Sequence, residues 1–186
     1  VSGPGGALRT AETGVAAADA SIAGTAAVLL TGRDGRLRLV TGGQSVLVPG
    51  VLKARGADIS ADGRLALVRG NDSTVSLVDL GSGETVTAVD HGAEATAGAI
   101  SAGGRLLATG GSDDVVRVWR SDGRPLRVLR GHVGTIKAIA FSARGTLIAT
   151  ASTDGVGRVG RVGSGQPVTV LSGHGNNGDD GLEGVR

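Results

Sequence analysis

Residues 100–120 read ISAGGRLLATGGSDDVVRVWR, and a copy of this stretch stands 41 residues before it and another 41 residues after it. The earlier copy, 59–79, reads ISADGRLALVRGNDSTVSLVD, and the later one, 141–161, reads FSARGTLIATASTDGVGRVGR. Serine, glycine and aspartate anchors keep this spacing in all three copies. They are Ser60, Ser101 and Ser142; Gly63, Gly104 and Gly145; and Asp72, Asp113 and Asp154. Self-similarity at a fixed period is typical of a repeat architecture, in which each copy is one supersecondary unit.

Each copy predicts four short strands. In the copy that begins at 59, the apolar run 65–68 is followed by a polar turn around Asp72 and by the alternating stretch 75–79. A Gly-Ser-Gly turn then leads into 85–89. Turns at this regular spacing are an all-β signature, and no stretch keeps the 3.6-residue apolar period of a helix. The sequence therefore predicts an all-β fold of four-stranded units.

A fainter copy upstream completes the predicted division of the chain. Residues 28–40 repeat the second strand, the turn and the third strand at an offset of 38, and 7–10 resemble 125–128, the last strand of a unit. The sequence thus predicts an outer strand and connection over 1–19, four units at about 20–50, 51–91, 92–132 and 133–174, and a polar tail or the start of a further unit over 175–186.

Composition excludes several classes of protein. Lys plus Arg is 19 against 17 for Asp plus Glu, a balance that argues against nucleic-acid binding through bulk charge. Cysteine is absent, which excludes disulfide frameworks and thiolate metal sites. The apolar stretch 15–30 is short, rich in Ala and Gly and interrupted by Asp19, so no membrane span is predicted. The absence of Cys is compatible with a cytoplasmic protein, the predicted location, and the Ala, Gly, Arg and Val bias resembles bacterial coding of high GC content.

Three features of the repeat resemble the WD-repeat β-propeller family. They are Gly131-His132 opening a unit, the stretch Thr150-Ala-Ser-Thr-Asp154 after a second strand, and Val118-Trp119 closing a third strand. Blades of that family are four-stranded units of about 40–45 residues. The resemblance covers 21–174 and implies a β-propeller of about four blades, an incomplete ring and thus a fragment of a longer protein. An open arc leaves two unpaired blade faces through which chains could self-associate.

The resemblance also implies a buried hydrogen-bonded set of His, hydroxyl, Asp and Trp in each blade. One unit supplies all four types, and the next supplies three, with Gly160 in place of Trp. In the preceding unit Gly50 and Val78 stand where His and Trp belong, so the incomplete blades are expected to be looser or packed by Ala and Val. The predicted structural residues are His91, Thr109, Asp113, Trp119, His132, Thr150 and Asp154.

The same residue types invite catalytic interpretations, which the repeat disfavours. A His, a hydroxyl and an Asp could form a nucleophilic triad, but here each recurs at an equivalent blade position. The stretch 155–160 matches a dinucleotide fingerprint without the strand-to-helix context that the motif requires. The three histidines, His91, His132 and His174, are about 41 residues apart, so they are not expected to converge on a metal. No catalytic residue, metal or cofactor is predicted.

The predicted function is that of a non-enzymatic scaffold or regulatory module that docks a protein or peptide. In the family, partners bind where the inner strands begin and beside the turn that carries the Asp. The matching positions are Lys53, Glu94 and Thr135 for the first, and Arg33, Asn71, Ser112 and Thr153 for the second. Two alternatives stay open: a sensing or regulatory domain of a larger multidomain signalling enzyme with catalysis elsewhere, and an enzyme that uses the propeller channel.

Overall fold

A computed structural model of the chain describes residues 17–23, 27–41, 44–51, 53–70 and 72–172. These residues form β-strands joined by turns. The strands are β1 (Ala17–Ala23), β2 (Ala27–Gly32), β3 (Leu37–Thr41), β4 (Gln44–Leu47), β5 (Gly56–Ile59), β6 (Leu65–Arg69), β7 (Thr74–Asp79), β8 (Thr85–Asp90), β9 (Ala95–Ile100), β10 (Leu106–Gly111), β11 (Val116–Arg120), β12 (Pro125–Leu129), β13 (Ile136–Phe141), β14 (Leu147–Ser152), β15 (Val156–Arg161) and β16 (Pro167–Ser172).

Consecutive strands pair antiparallel into four separate sheets of four strands, each in simple chain order. The first strands of successive sheets contact one another, β1 with β5, β5 with β9 and β9 with β13. These strands therefore form the inner ends of four blades, and β4, β8, β12 and β16 form the outer ends. The prediction of an all-β fold of four-stranded blades in an open arc is confirmed. The predicted strand 7–10 and the tail 175–186 lie outside the described residues, and the exact limits of the units stay a prediction.

The recurring serines and glycines are explained by the turn between the first and second strands of each blade. The serine hydroxyl accepts the backbone N–H five residues later, at 3.0 Å in Ser60, 3.0 Å in Ser101 and 3.1 Å in Ser142. Three residues after each serine the backbone is left-handed, with φ near +70° at Gly63, Gly104 and Gly145. Only glycine adopts that conformation readily. The 41-residue spacing of these serines and glycines therefore reflects the same turn in three successive blades.

The recurring aspartates are explained by the turn between the second and third strands. Each carboxylate accepts the backbone N–H two residues later, an Asx turn that needs this short acidic side chain. The acceptors are Asp34, Asp72, Asp113 and Asp154, at 3.1, 3.0, 3.3 and 2.9 Å. The faint first copy thus builds the same turn as the others, although its offset is 38 residues.

The core lies between neighbouring blades. Each blade has a trailing face toward the blade that follows and a leading face toward the blade that precedes. Trailing Leu29 shares a buried cluster with leading Ala66, Leu67 with Leu107, and Ala108 with Ile148. The next residue of the trailing series, Ala149, is exposed on the last blade. None of the described segments forms a helix that is long and apolar enough to cross a membrane.

Candidate functional site

The third blade contains a hydrogen-bonded network of all four predicted residue types. His91 Nδ1 lies 2.7 Å from Thr109 Oγ1, and His91 Nε2 lies 3.1 Å from Asp113 Oδ1. The indole N–H of Trp119 donates to the same threonine oxygen at 3.0 Å. His91 is 1% exposed and Thr109 is fully buried. Every polar atom of this buried chain has a partner, which is the condition under which such a network rigidifies a fold.

An arginine that sequence reasoning missed completes the charge balance of this network. Arg117 donates to Asp113 Oδ2 at 2.7 Å and lies 3.1 Å from His91 Nε2. Burial opposes ionisation of Asp113, but the hydrogen bonds from Arg117 and His91 outweigh it and hold the pKa of this carboxyl below its usual value. The sequence did contain a signal for this arginine, since an Arg also follows the turn Asp by four residues in the first blade. There Arg38 Nη2 lies 3.2 Å from Asp34 Oδ2.

Burial and the Arg117 charge also set the protonation of His91. Burial lowers the pKa of this imidazole, the hydrogen bond that it donates to Asp113 raises it and the nearby guanidinium lowers it, with a lowered pKa as the net result. At a pH at which a free histidine already gains a proton, the imidazole of His91 is therefore still neutral in the folded chain. One ring nitrogen then donates to Asp113 while the other accepts from the threonine hydroxyl.

We predict that this histidine makes the chain lose stability in mild acid. Below about pH 6.5 the unfolded chain binds a proton on histidine before the folded chain does, so the free energy of unfolding falls as the pH falls. Urea unfolding of the chain between pH 8 and pH 5 measures the slope. His91→Gln, which cannot titrate, should lower stability at every pH and flatten that slope. An unchanged slope in the variant would contradict the assignment.

The fourth blade keeps three members of the network but turns the imidazole over. His132 Nδ1 lies 2.9 Å from Asp154 Oδ2, and His132 Nε2 lies 2.9 Å from Thr150 Oγ1. The reason lies at the last residue of the second strand. A Cβ at Gly111 would come within 2.5 Å of His91 Nε2. The equivalent residue of the fourth blade is Ser152, which carries a Cβ, so its histidine cannot take the same placement.

Asp154 is the most strongly stabilised carboxylate of the candidate site. Burial alone would raise its pKa, but the N–H groups of Val133 and Val156 and the ring of His132 lower it to about 2. The two backbone donors lie 3.0 and 2.9 Å from the carboxylate oxygens. Asp154 therefore stays ionised throughout the physiological range and fixes the turn between β14 and β15.

The missing tryptophan of the fourth blade leaves a cavity rather than a filled core. Gly160 pairs with Ile148 across the sheet, as Trp119 pairs with Leu107 in the third blade. A cavity of about 180 Å³ opens at this place. Its lining includes His132, Thr150, Arg158 and Gly160 beside apolar side chains of both neighbouring blades. The loose packing expected of an incomplete blade is thus a cavity beside the hydroxyl of Thr150.

The second blade replaces its network with apolar packing. Val68 stands where the third blade has Thr109, and Val78 stands where it has Trp119. These valines are 7% and 1% exposed and belong to one buried cluster. The second blade therefore needs no hydrogen-bonded set, because the polar atoms that would require one are absent.

The residues predicted to bind a partner lie along the edge where the inner strands begin. The N–H of Ser112 donates to the carbonyl oxygen of Glu94 at 3.1 Å, and the N–H of Thr153 donates to that of Thr135 at 3.0 Å. In both blades the turn after the second strand is thereby fastened to the start of the first. The two predicted positions of each blade are brought side by side.

The first two blades place their predicted residues at the same edge. Lys53 precedes β5 by three residues, and its φ is +70°. The N–H of the next residue, Ala54, donates to the carbonyl oxygen of Gly35 at 2.9 Å, which holds Lys53 beside the turn that carries Arg33. Asn71 lies outside the described residues. We call the others the rim; they are Arg33, Lys53, Glu94, Ser112, Thr135 and Thr153, of which Thr135 is half-buried and the rest exposed.

Two family models match the chain. The family described as cytochrome D1 heme domain matches residues 24–122, just over half of the chain. The family described as WD domain, G-beta repeat, matches residues 123–159, from the turn before β12 into β15. A comparison with curated proteins found no match.

The described residues do not fit the haem that the first of these families carries. Haem iron takes an axial ligand from His, Cys, Met or Tyr, and the chain has no Cys, Met or Tyr. His91 is the histidine within the matched range, and both of its ring nitrogens are engaged by Thr109 and Asp113. His132 is engaged in the same way, and His174 lies outside the described residues. The cavity beside His132, at about 180 Å³, is also below the 300–1,000 Å³ of ordinary ligand pockets.

What the two matched families have in common is the propeller. The four sheets of the chain, joined through their inner strands, are the blades of such a propeller. The shared architecture explains why the two models match neighbouring parts of one repeat array. The four blades and the match at residues 123–159 fit a partial WD-repeat β-propeller, and through residues 24–122 the chain belongs to the cytochrome D1 heme-domain family of propellers.

Proposed function

We propose that the chain is a non-catalytic module that docks a protein or peptide along the rim. WD repeats on a propeller suggest a protein-interaction module, and the rim supplies a surface for that role. The observation that carries the proposal is the pair of backbone hydrogen bonds from Ser112 to Glu94 and from Thr153 to Thr135. They fix polar side chains, all exposed except the half-buried Thr135, at matched positions in successive blades. A ligand lying across the arc meets them one after another.

The chemistry of the rim indicates the kind of peptide that fits it. Arg33 and Lys53 place positive charge at the first two blades. Glu94 lies in the middle, with its Oε1 4.0 Å from Arg55 Nη1. The hydroxyls of Ser112, Thr135 and Thr153 continue the rim over the last two blades. We infer that an extended polar segment with an acidic end toward Lys53 fits this order. The rim carries no aromatic anchor, so its affinity should be on the order of micromolar.

The proposal that the chain is not an enzyme has its own support. Both described histidines use both ring nitrogens within the blades, which leaves neither free as a general base. Among the residues that the structure describes, no group of three His, Cys, Asp or Glu side chains could hold a metal ion. The titratable groups of the candidate site are thus engaged in holding blades together.

We predict that reversing charge on the rim weakens docking at least tenfold without unfolding the chain. Peptides selected from a displayed library on the immobilised chain provide the ligands. Lys53→Glu combined with Thr153→Glu should weaken their binding at least tenfold, because it removes a cation and adds two anions. Binding is measured by calorimetry, and circular dichroism reports the fold.

The matched control carries the same change of charge at the opposite edge. Arg144 and Thr146 lie in the turn between β13 and β14, and both are exposed. Arg144→Glu combined with Thr146→Glu should leave peptide binding unchanged. The proposal fails if the selected peptides bind the rim variant as tightly as the unaltered chain, or if the control variant loses them equally.

A further inference from the structure

The cavity at Gly160 lies where an aromatic side chain completes the third blade. In the third blade the same place is filled by the indole of Trp119, whose N–H donates to Thr109. In the fourth blade Thr150 keeps the acceptor, but no indole is present to donate to it. The hydroxyl of Thr150 instead lies 3.4 Å from the carbonyl oxygen of Arg158, at the long limit of a hydrogen bond.

Accessibility separates the two threonines. Thr109 is 0% exposed beneath its indole, whereas Thr150 is 8% exposed. The outer strands on either side of the cavity carry Val128 and Val170, each about half exposed at 51% and 48%. The cavity therefore communicates with the surface between β12 and β16, and a planar group can enter from the outer edge.

The guanidinium of Arg158 adds a second polar group to the lining of the cavity. Its Nε is buried and has no hydrogen-bond partner among the described residues. The equivalent Arg117 of the third blade donates to Asp113, but the carboxylate of Asp154 is taken by His132 and by two backbone N–H groups. A buried cationic donor without an acceptor is unfavourable, and the face of an aromatic ring is one acceptor that suits a guanidinium.

We propose that this cavity binds a planar aromatic heterocycle with an N–H donor, the chemical class of indole. The ring would lie between the apolar side chains of Val116 and Ile148, donate its N–H to Thr150 Oγ1 and present its face to Arg158. The volume of about 180 Å³ is suitable, because an apolar cavity of about 150 Å³ in another protein holds a benzene ring. The site is separate from the rim and does not depend on the proposed docking function.

The test compares indole with 1-methylindole on the full chain by saturation-transfer NMR and calorimetry. Indole should bind with a dissociation constant on the order of 0.1–1 mM. 1-Methylindole has the same ring but no N–H, so it should bind about 2- to 10-fold more weakly. No binding of indole at millimolar concentration, or equal binding of the two compounds, would overturn the proposal.

A substitution in the chain provides the second arm of the test. A Cβ at Gly160 would lie 3.5 Å from its nearest neighbour, the carbonyl oxygen of Gln166, so Gly160→Trp can place an indole in the cavity. That variant should lose indole binding at least tenfold. The control is Gly103→Trp, in a turn of the third blade where a Cβ meets open space, and it should bind as the unaltered chain does. Retained binding in Gly160→Trp would assign indole to another place and overturn the proposal.

A third probe identifies the natural source of the ring. N-Acetyltryptophanamide carries the same indole on a peptide backbone. If it binds as tightly as indole, the cavity accepts a tryptophan side chain of a partner protein. If it binds more than tenfold more weakly while indole binds, the cavity accepts a free small heterocycle. Both results support the site, and the comparison of the two indoles on the unaltered chain holds even if a variant fails to fold.

Discussion

Replacing Thr109 with valine, a side chain of nearly equal volume, is expected to lower the free energy of unfolding by about 2–6 kcal/mol. The hydroxyl of Thr109 is the shared partner of His91 Nδ1 and Trp119 Nε1. Valine keeps the shape of threonine but leaves two buried polar atoms without a partner, each at a cost of about 1–3 kcal/mol. Chemical denaturation with fluorescence of Trp119 measures the loss.

The fourth blade provides a matched comparison within the same chain. Thr150 occupies the equivalent position, but of these two side-chain partners it has the histidine alone. Thr150→Val should therefore cost less, about 1–3 kcal/mol. Thr109→Ser keeps the hydroxyl and should retain most of the stability. Equal losses in the two valine variants would show that the indole hydrogen bond contributes nothing to the third blade.

Replacing Gly110 with alanine is expected to separate the third and fourth blades, at a cost of about 1–3 kcal/mol. A Cβ at Gly110 would lie 2.5 Å from Cγ2 and 2.7 Å from Cβ of Ile136 on the inner strand of the next blade. Ile136 is 0% exposed and branched at Cβ, so it cannot turn away. Hydrogen exchange should show loss of protection across β13 and β14.

A double-mutant cycle tests whether this contact is the cause. Ile136→Ala alone should cost about 2–5 kcal/mol through the cavity that it creates. Combined with Gly110→Ala, it removes the nearest overlapping atom, so the double variant should lose less stability than the sum of the single losses. Gly103→Ala, which meets open space, should cost little. Strict additivity of the two single losses would contradict the assignment.

The sequence predicted the architecture well because its anchors are local. In forming the turns, Ser101, Gly104 and Asp113 each act within five residues of their own position, through a hydroxyl, a left-handed backbone and an Asx turn. Local chemistry of this kind is readable from spacing alone. The rim residues were likewise named from the repeat, and the structure brings Glu94 to Ser112 through a backbone hydrogen bond.

What the sequence could not predict depends on contacts between distant residues. The reversed ring of His132 depends on the Cβ of Ser152, twenty positions away in the chain. The cavity at Gly160 depends on whether neighbouring side chains close over the missing indole, which no pattern of one strand reveals. Lys53 also stands three residues before its strand rather than at its start, because Ala54 is bonded to the preceding blade.

The side chains that meet between blades make each copy of the repeat specific for its neighbours. Leucine meets alanine between the first and second blades, as Leu29 with Ala66, and alanine meets isoleucine between the third and fourth, as Ala108 with Ile148. Two leucines, Leu67 and Leu107, meet between the second and third blades. Exchanging those two blades would set Ala108 against Ala66 and leave two small side chains across a gap. Complementary volumes between the blades thus favour the native order of repeats that look interchangeable along the chain.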